Sequence, residues 1–181
     1  METPIARGAR VTLRPHRPDD RDALFDTMSD PEVMAYWSTG PWTDPARADE
    51  MLSRDLQLAA AGEALRWAIE HQGRYVGFVS LHHFDRQNRR CEVGYLLNRS
   101  AWGQGLAREG VTLGLDCAFG PLGLHRVEAD TDPRNTASIT LLERLGFTRE
   151  GTLRERWWVD GVSSDTALFG LLAPEWARRR V

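Results

Sequence analysis

The sequence predicts an α+β domain with a mixed, mostly antiparallel central sheet and flanking helices. Predicted strands outnumber helices, and hairpin turns at Gln72-Gly73 and Asp160-Gly161 join strands that are neighbours along the chain. Between Cys91 and Thr131 a strand, a glycine-bearing loop, a helix and a second strand follow one another. This single crossover adds a parallel pair to the sheet, whereas a doubly wound sheet would need crossovers throughout.

The composition is that of an ordinary globular domain. Of 181 residues, 41% are hydrophobic and 27% charged, and we expect one domain over residues 1–181. A net charge of −3 gives no general reason to bind nucleic acid or an anionic membrane. The sequence shows no signal-peptide core, and its two cysteines, Cys91 and Cys117, fit neither a metal site nor a disulfide framework. We therefore expect a cytoplasmic protein with both thiols in the core.

The amino-terminal third begins with a strand and a short helix. Arg10–Arg14 alternates as a strand does, and a helix opens at Pro18-Asp-Asp20. Asp30-Pro31 should end that helix, because the residue before a proline avoids the α region. Residues 33–42 then form a connection that is unusually rich in aromatic side chains.

A second helix and three strands follow this connection. Asp44 is the expected N-cap, Pro45 lies in the first turn and Gly62 ends the helix. The apolar runs after it predict strands at about Leu65–Glu70, Tyr75–His82 and Cys91–Leu97.

The last part of the chain should add two helices and three strands. A helix runs from the glycine loop to about Gly120-Pro121, and a second begins after Asn135 and ends at Gly146. The three remaining strands are His125–Thr131, Phe147–Thr152 and Asp165–Leu171, and the chain finishes in a polar, arginine-rich end, Pro174–Val181.

The glycine loop is the strongest local sign of a ligand site. Gly103 and Gly105 have no Cβ, so the backbone of residues 103–107 can approach a ligand and aim free N–H groups outward where a helix begins. Such a place suits a phosphate or pyrophosphate. No Gly-Lys-Ser/Thr follows, so the loop is not a Walker A loop, and two glycines before a helix also fit a plain turn.

Several segments together resemble one family. Trp102-Gly-Gln-Gly-Leu-Ala107 resembles the acetyl-CoA pyrophosphate loop of the GNAT superfamily of N-acetyltransferases, and Asn135-x-x-Ser138 before Leu145-Gly-Phe147 resembles its second signature. Three further segments resemble the RimJ/RimL branch of this superfamily: Val11–Pro15, Trp42-Thr-Asp-Pro45, and Val159-Asp-Gly161 to Leu168–Leu172. Enzymes of that branch acetylate N-terminal amines of ribosomal proteins, and close relatives act on other amines.

The resemblance implies acetyl-CoA as co-substrate and a splay between the two strands that the family counts as β4 and β5. The residues themselves predict no metal, because the acids near His82 and His83 show no ligand pattern. The splay would free a backbone N–H near Tyr95–Leu97 for the thioester oxygen. The cofactor-binding residues it implies are Tyr95, Leu96, Leu97, Trp102, Gly103, Gln104, Gly105, Leu106, Ala107, Asn135 and Ser138. The sequence departs from the family at Trp102, where the pattern has Gln or Arg, and at Leu142, where many members place a tyrosine that protonates the thiolate.

Two residues are the candidate catalytic groups. Glu92, on the strand before the loop, is the candidate base for the amine, directly or through water; alternatively it pairs with Arg89, Arg90 or Arg126. Ser138, near a helix start, is the candidate donor to the departing thiolate, as in RimL-type enzymes; alternatively it only satisfies first-turn N–H groups.

The acceptor side is predicted from aromatic residues and one histidine. Tyr36, Trp37 and Trp42 can wall a slot for an amine or simply pack in the core, and His82 can face the cleft or the surface. Three functions stay open: acetylation of a protein N-terminus such as that of a ribosomal protein, acetylation of a small amine, or non-catalytic sensing of acyl-CoA. The resemblance also suggests a homodimer.

Overall fold

A computed structural model describes residues 3–179 and confirms the predicted α+β class. Its eight strands form one sheet in the order β1-β2-β3-β4-β5-β6-β8-β7, in which only β5 and β6 are parallel neighbours. The strands are β1 (Ala6–Arg7), β2 (Val11–Pro15), β3 (Leu65–His71), β4 (Arg74–Asp85), β5 (Arg90–Leu97), β6 (Arg126–Thr131), β7 (Thr148–Val159) and β8 (Val162–Leu172). The α-helices are α1 (Arg21–Ser29), α2 (Pro31–Met34), α3 (Ala46–Ala61), α4 (Leu106–Phe119), α5 (Thr136–Leu145) and α6 (Ala173–Arg179).

Two apolar clusters hold the helices to the sheet. Strand alternation sends Val79 of β4 into the larger cluster, with residues of α4, α5 and α6, and its neighbour Phe78 into the smaller one, with residues of α1, α2 and α3. Leu115 and Leu142 are fully buried in the larger cluster. The two cysteines are free and buried in this cluster, as expected, and burial raises the pKa of the Cys91 thiol to about 12.

The sheet opens between β5 and β6. These strands are paired only over Arg90–Glu92 and Arg126–Glu128, while the rest of β5, from Val93 to Leu97, is paired with β4 alone. This is the splay that the family resemblance implies, between the strands counted there as β4 and β5. It leaves one edge of β5 open beside the start of α4.

A short helix that sequence reasoning missed leads into the predicted aromatic connection and includes its first two residues. α2 begins at Pro31, directly where the previous helix ends, and Asp30 Oδ1 accepts a hydrogen bond from Glu32 N at 2.9 Å. In the same way Asp44 Oδ1 accepts from Ala46 N at 2.9 Å, although α3 begins one residue later than predicted. The aspartates thus act at the helix starts, but four residues are too few to show a helical period.

The carboxy-terminal strands are longer than the sequence predicted. β7 continues past Thr152 to Val159 and β8 begins at Val162 rather than Asp165, because the two are paired up to the turn. Much of this extension is exposed on both faces, so it lacks the alternation that marks a strand. The expected polar end also forms α6, as far as Arg179 within the described residues. Between residues 3 and 179 no helix is both long and apolar enough to cross a membrane.

Candidate active site

A cleft of about 1510 Å³ opens at the splay. Its walls come from the α2–α3 region, the ends of β4 and β5, the start of α4 and the first turn of α5. Every predicted site residue lines this cleft except Gln104, whose side-chain Nε2 instead donates to Ser100 O at 2.9 Å. The structure therefore brings the candidate catalytic, cofactor and acceptor residues around one space.

The backbone of the glycine loop has the geometry of an anion-binding site. Gly103 and Gly105 have left-handed φ values of 72° and 74°, which few other residues adopt without strain. In the described chain, the N–H groups of residues 103–107 meet no hydrogen-bond acceptor. Trp102 Nε1 donates to Leu97 O at 2.9 Å and so ties the loop to the end of β5. The unpaired amides lie at the start of α4, where the helix dipole also favours negative charge.

Arg10 and Glu109 brace the loop from outside, and sequence reasoning missed both. Arg10 Nη1 donates to Gln104 O at 2.8 Å, while Arg10 Nε lies 3.1 Å from Glu109 Oε2. Glu109 Oε1 also accepts from the Arg10 backbone N–H at 2.6 Å. The Arg10 guanidinium thus fixes the direction of the Gln104 carbonyl. The N–H groups of the loop can then face the cleft on the opposite side.

The open edge of β5 offers a second row of backbone donors. Just before β5, Arg89 O accepts hydrogen bonds from His125 N and Arg126 N, at the start of β6. Just after β5, Asn98 N donates to Val76 O of β4 at 2.9 Å. Since backbone groups alternate in direction along a strand, odd-numbered positions of β5 face β6. Beyond the splay these positions have no β6 partner, and they are Val93, Tyr95 and Leu97.

The Ser138 hydroxyl is hydrogen-bonded to the hydroxyl of Tyr95, a partner that the sequence did not predict. The Tyr95 hydroxyl lies 2.8 Å from Ser138 Oγ, and burial raises the pKa of the Tyr95 phenol to about 12, so the phenol stays protonated at neutral pH. Asn135 Oδ1 accepts from Ser138 N at 3.1 Å, which makes Asn135 the cap of α5 and leaves its Nδ2 unused by that bond. Leu142, at the family's usual tyrosine position, is fully buried.

Glu92 does not pair with the arginines that were its alternative partners. Arg90 Nη1 instead donates to Glu128 at 2.7 Å, Arg126 binds Glu128 and Glu150, and Arg89 donates to a backbone carbonyl. The Glu92 carboxylate lies beside two histidines, with Oε2 at 3.8 Å from His82 Nε2 and 3.2 Å from His83 Nδ1. Burial lowers the pKa of His82, so its imidazole is neutral at neutral pH.

The three predicted acceptor aromatics differ in exposure. Tyr36 is 44% exposed, while Trp37 is partly buried with its ring edge-on to Phe78 at 6.0 Å between centroids. Trp42 is only 7% exposed and belongs to the smaller core cluster, although one side lines the cleft. Trp42 therefore packs in the core and also borders the cleft, and its contact with an amine substrate stays a prediction.

This difference predicts unequal effects on stability. Trp42→Ala should lower the free energy of unfolding by about 3–5 kcal/mol, because it leaves a cavity in the smaller cluster. Tyr36→Ala, the matched exposed aromatic, should change it by less than about 1 kcal/mol. Urea unfolding of both variants measures the difference. Equal stability of the two variants would show that Trp42 does not support the core.

Comparisons with known proteins agree with this geometry. The family profile described as acetyltransferase (GNAT) domain matches residues 10–148. An uncharacterized N-acetyltransferase, p20 of Bacillus licheniformis, is 38% identical over 170 residues, which cover 93% of this chain and 96% of that protein. Spermidine N(1)-acetyltransferase of Escherichia coli K12 is 25% identical over 83% of this chain and 80% of its own.

A solved structure extends the comparison to the cofactor. The structure of Mycobacterium smegmatis RimJ in complex with CoA-disulfide superposes with a TM-score of 0.83 and 30% identity, covering 91% of this chain and 83% of that one. The matching profile, the p20 relative and the shared fold all give one answer. The chain belongs to the GNAT family of acetyltransferases and is an acetyl-CoA-dependent N-acetyltransferase.

Proposed function

We propose that the protein transfers the acetyl group of acetyl-CoA to the N-terminal α-amine of a protein, as enzymes of the RimJ/RimL branch do. The observation that carries this proposal is the open edge of β5, which runs from the unpaired amides of the glycine loop to Glu92. It joins an anion site, free backbone donors and a candidate base along one path.

The cofactor would lie along this path with its pyrophosphate on the N–H groups of residues 103–107. Its pantetheine arm would follow β5, where the backbone groups of Tyr95 and Leu97 face the splay. Asn135 can meet an amide of the arm with its Nδ2 while its Oδ1 caps α5. The thioester would then lie at the open edge of β5, beside the hydrogen-bonded hydroxyls of Tyr95 and Ser138.

The chemistry follows from these positions. The amine nitrogen attacks the thioester carbonyl carbon, and a free N–H of β5 stabilises the oxyanion that develops. Glu92, directly or through water, takes the proton that the amine loses, and its neutral neighbour His82 lines the same wall. As the carbon–sulfur bond breaks, the Ser138 hydroxyl donates to the thiolate.

An α-amine suits this site better than a more basic amine. Its ordinary pKa is about 7.7–8.0, against about 10.4 for a lysine amine, so a weak carboxylate base can remove its proton near neutral pH. A small polyamine is the second candidate because of the spermidine acetyltransferase relative. However, cations share the cleft with its acidic residues, namely Arg47, Arg54, Arg66 and Arg86. The cleft is also lined by six carboxylates, namely Glu32, Glu50, Glu63, Glu92, Asp130 and Asp132, so its mixed charge suits a peptide and its small excess of acids keeps a polyamine as the second candidate.

CoA thiol release with a panel of acceptors tests the proposal. We expect release with peptides that copy ribosomal protein N-termini and no release when the same peptides carry a blocked α-amine but keep their lysines. Preference for spermidine over every peptide would replace the proposal with the small-amine function. Release with none of the amines would instead favour an acyl-CoA sensor. The cytoplasmic location and the homodimer stay predictions from the sequence.

A further inference from the structure

Two consecutive histidines point to the same carboxylate, which a regular strand would not allow. Side chains of neighbouring strand residues normally lie on opposite faces. Here β4 is irregular between His82 and Asp85, and His83 has a left-handed φ of 51°. The two imidazole rings therefore meet edge to face, with their centroids 4.7 Å apart, and both lie beside Glu92. A left-handed φ is uncommon for a residue with a side chain, and such strain is concentrated at functional sites.

The three side chains lie around a common space, and both histidines are within ion-pair distance of the Glu92 carboxylate. Neither histidine makes a hydrogen bond of good geometry to Glu92, although the ring nitrogens lie 3.8 Å and 3.2 Å from Oε2. One ligand atom from each of His82, His83 and Glu92 lies within 4.8 Å of the others. Three such atoms that face one space can share a cation there.

The residues behind His82 orient it for this role. Ser80 Oγ lies 3.4 Å from Gly94 O and 3.4 Å from His82 Nδ1. When the hydroxyl donates to the carbonyl and accepts from Nδ1–H, the lone pair of Nε2 is directed at the Glu92 side. Metal-binding histidines are commonly held in this way through their second ring nitrogen. A Cβ at Gly94 would lie 3.3 Å from His82 Cε1, so the glycine leaves room for the ring.

We propose that His82, His83 and Glu92 form a binding site for a divalent transition metal such as Zn²⁺, and that the bound metal inhibits acetyl transfer. Two imidazoles and one carboxylate are a common set of zinc ligands with a fourth position open. The His83 side chain is 71% exposed, so an ion can enter from solvent. The site lies at the Glu92 end of the cleft, away from the glycine loop and from the part of β5, Val93 to Leu97, along which the pantetheine arm would lie.

The inhibitory half rests on the proposed function of Glu92. A carboxylate that coordinates a metal cannot accept the proton of an amine, and the ion itself repels a protonated amine. We therefore expect the metal to compete with the acceptor amine and to leave acetyl-CoA binding unchanged.

Calorimetric titration of chelator-treated protein with Zn²⁺ tests the site without any turnover. We expect one Zn²⁺ per chain in the wild type and at least about tenfold weaker binding in His83→Asn. Asparagine is a poor zinc ligand that tolerates a left-handed φ, so this variant should fold. His125→Asn, which changes an exposed histidine outside the cleft, should bind as the wild type does. Absence of binding, or equal binding in His83→Asn, would overturn the proposal.

Thiol release then tests the inhibition. Zn²⁺ should raise the apparent KM for the amine in the wild type, whereas the KM of His83→Asn, compared with its own metal-free value, should not respond to Zn²⁺. A wild type that binds Zn²⁺ through the histidines but keeps its turnover would refute the inhibitory role. Failure of the proposed function would give a different result, because the metal-free wild type would then release no CoA thiol with the peptide.

Discussion

Gly105→Val is expected to weaken acetyl-CoA binding on the order of 100-fold. The residue has a φ of 74°, which a β-branched side chain avoids, so the loop must turn and its N–H groups lose their common direction. Its new Cβ would also lie 3.4 Å from Arg10 Nη2, which helps to hold the loop. Losing two charge-assisted hydrogen bonds at roughly 1.5 kcal/mol each corresponds to about this change in Kd.

The control for this variant is Gly73→Val in the turn between β3 and β4. Gly73 has the same φ of 74° and open space around its Cβ position, but it does not line the cleft. Both variants therefore carry similar backbone strain, and calorimetry with CoA separates strain from lost binding. If a folded Gly105→Val protein bound CoA as tightly as Gly73→Val does, the pyrophosphate would not lie on this loop.

Features with a local cause were predictable from the sequence. The glycine loop is one of them, because two left-handed turns before a helix need glycine, and the aspartates at the helix starts are others. The class of the sheet followed from hairpin turns and one crossover. The family resemblance added the splay, which no local pattern of β5 shows.

Features that depend on distant contacts were not predictable. Arg10 and Glu109 are 99 residues apart, so nothing near either residue marks them as braces of the loop. The left-handed φ of His83 arises from an irregular strand pairing that a sequence of apolar and polar residues does not reveal. Tyr95 was expected at the cofactor for its backbone, whereas its hydroxyl is the partner of Ser138.

Ser138→Ala is expected to lower kcat about 10²-fold, at the low end of the range for general acid–base groups, with little change in acetyl-CoA affinity. The hydroxyl acts only as the thiolate forms, so its loss should appear in kcat rather than in binding. The first turn of α5 should persist, because Asn135 Oδ1 accepts from the backbone N–H of residue 138, which the substitution does not remove. Thr140→Ala removes an exposed hydroxyl from the same helix and should leave kcat unchanged.

The role of Tyr95 follows from its bond to Ser138 and can be separated by a double-mutant cycle. If the phenol orients the serine hydroxyl, Tyr95→Phe should lower kcat in the wild type and have almost no further effect in Ser138→Ala. Steady-state kinetics of the four proteins with one amine give this coupling directly. Independent losses would mean that the two hydroxyls act separately. A Ser138→Ala enzyme within about twofold of the wild type, roughly 0.4 kcal/mol of barrier, would reduce Ser138 to an ordinary helix-start residue.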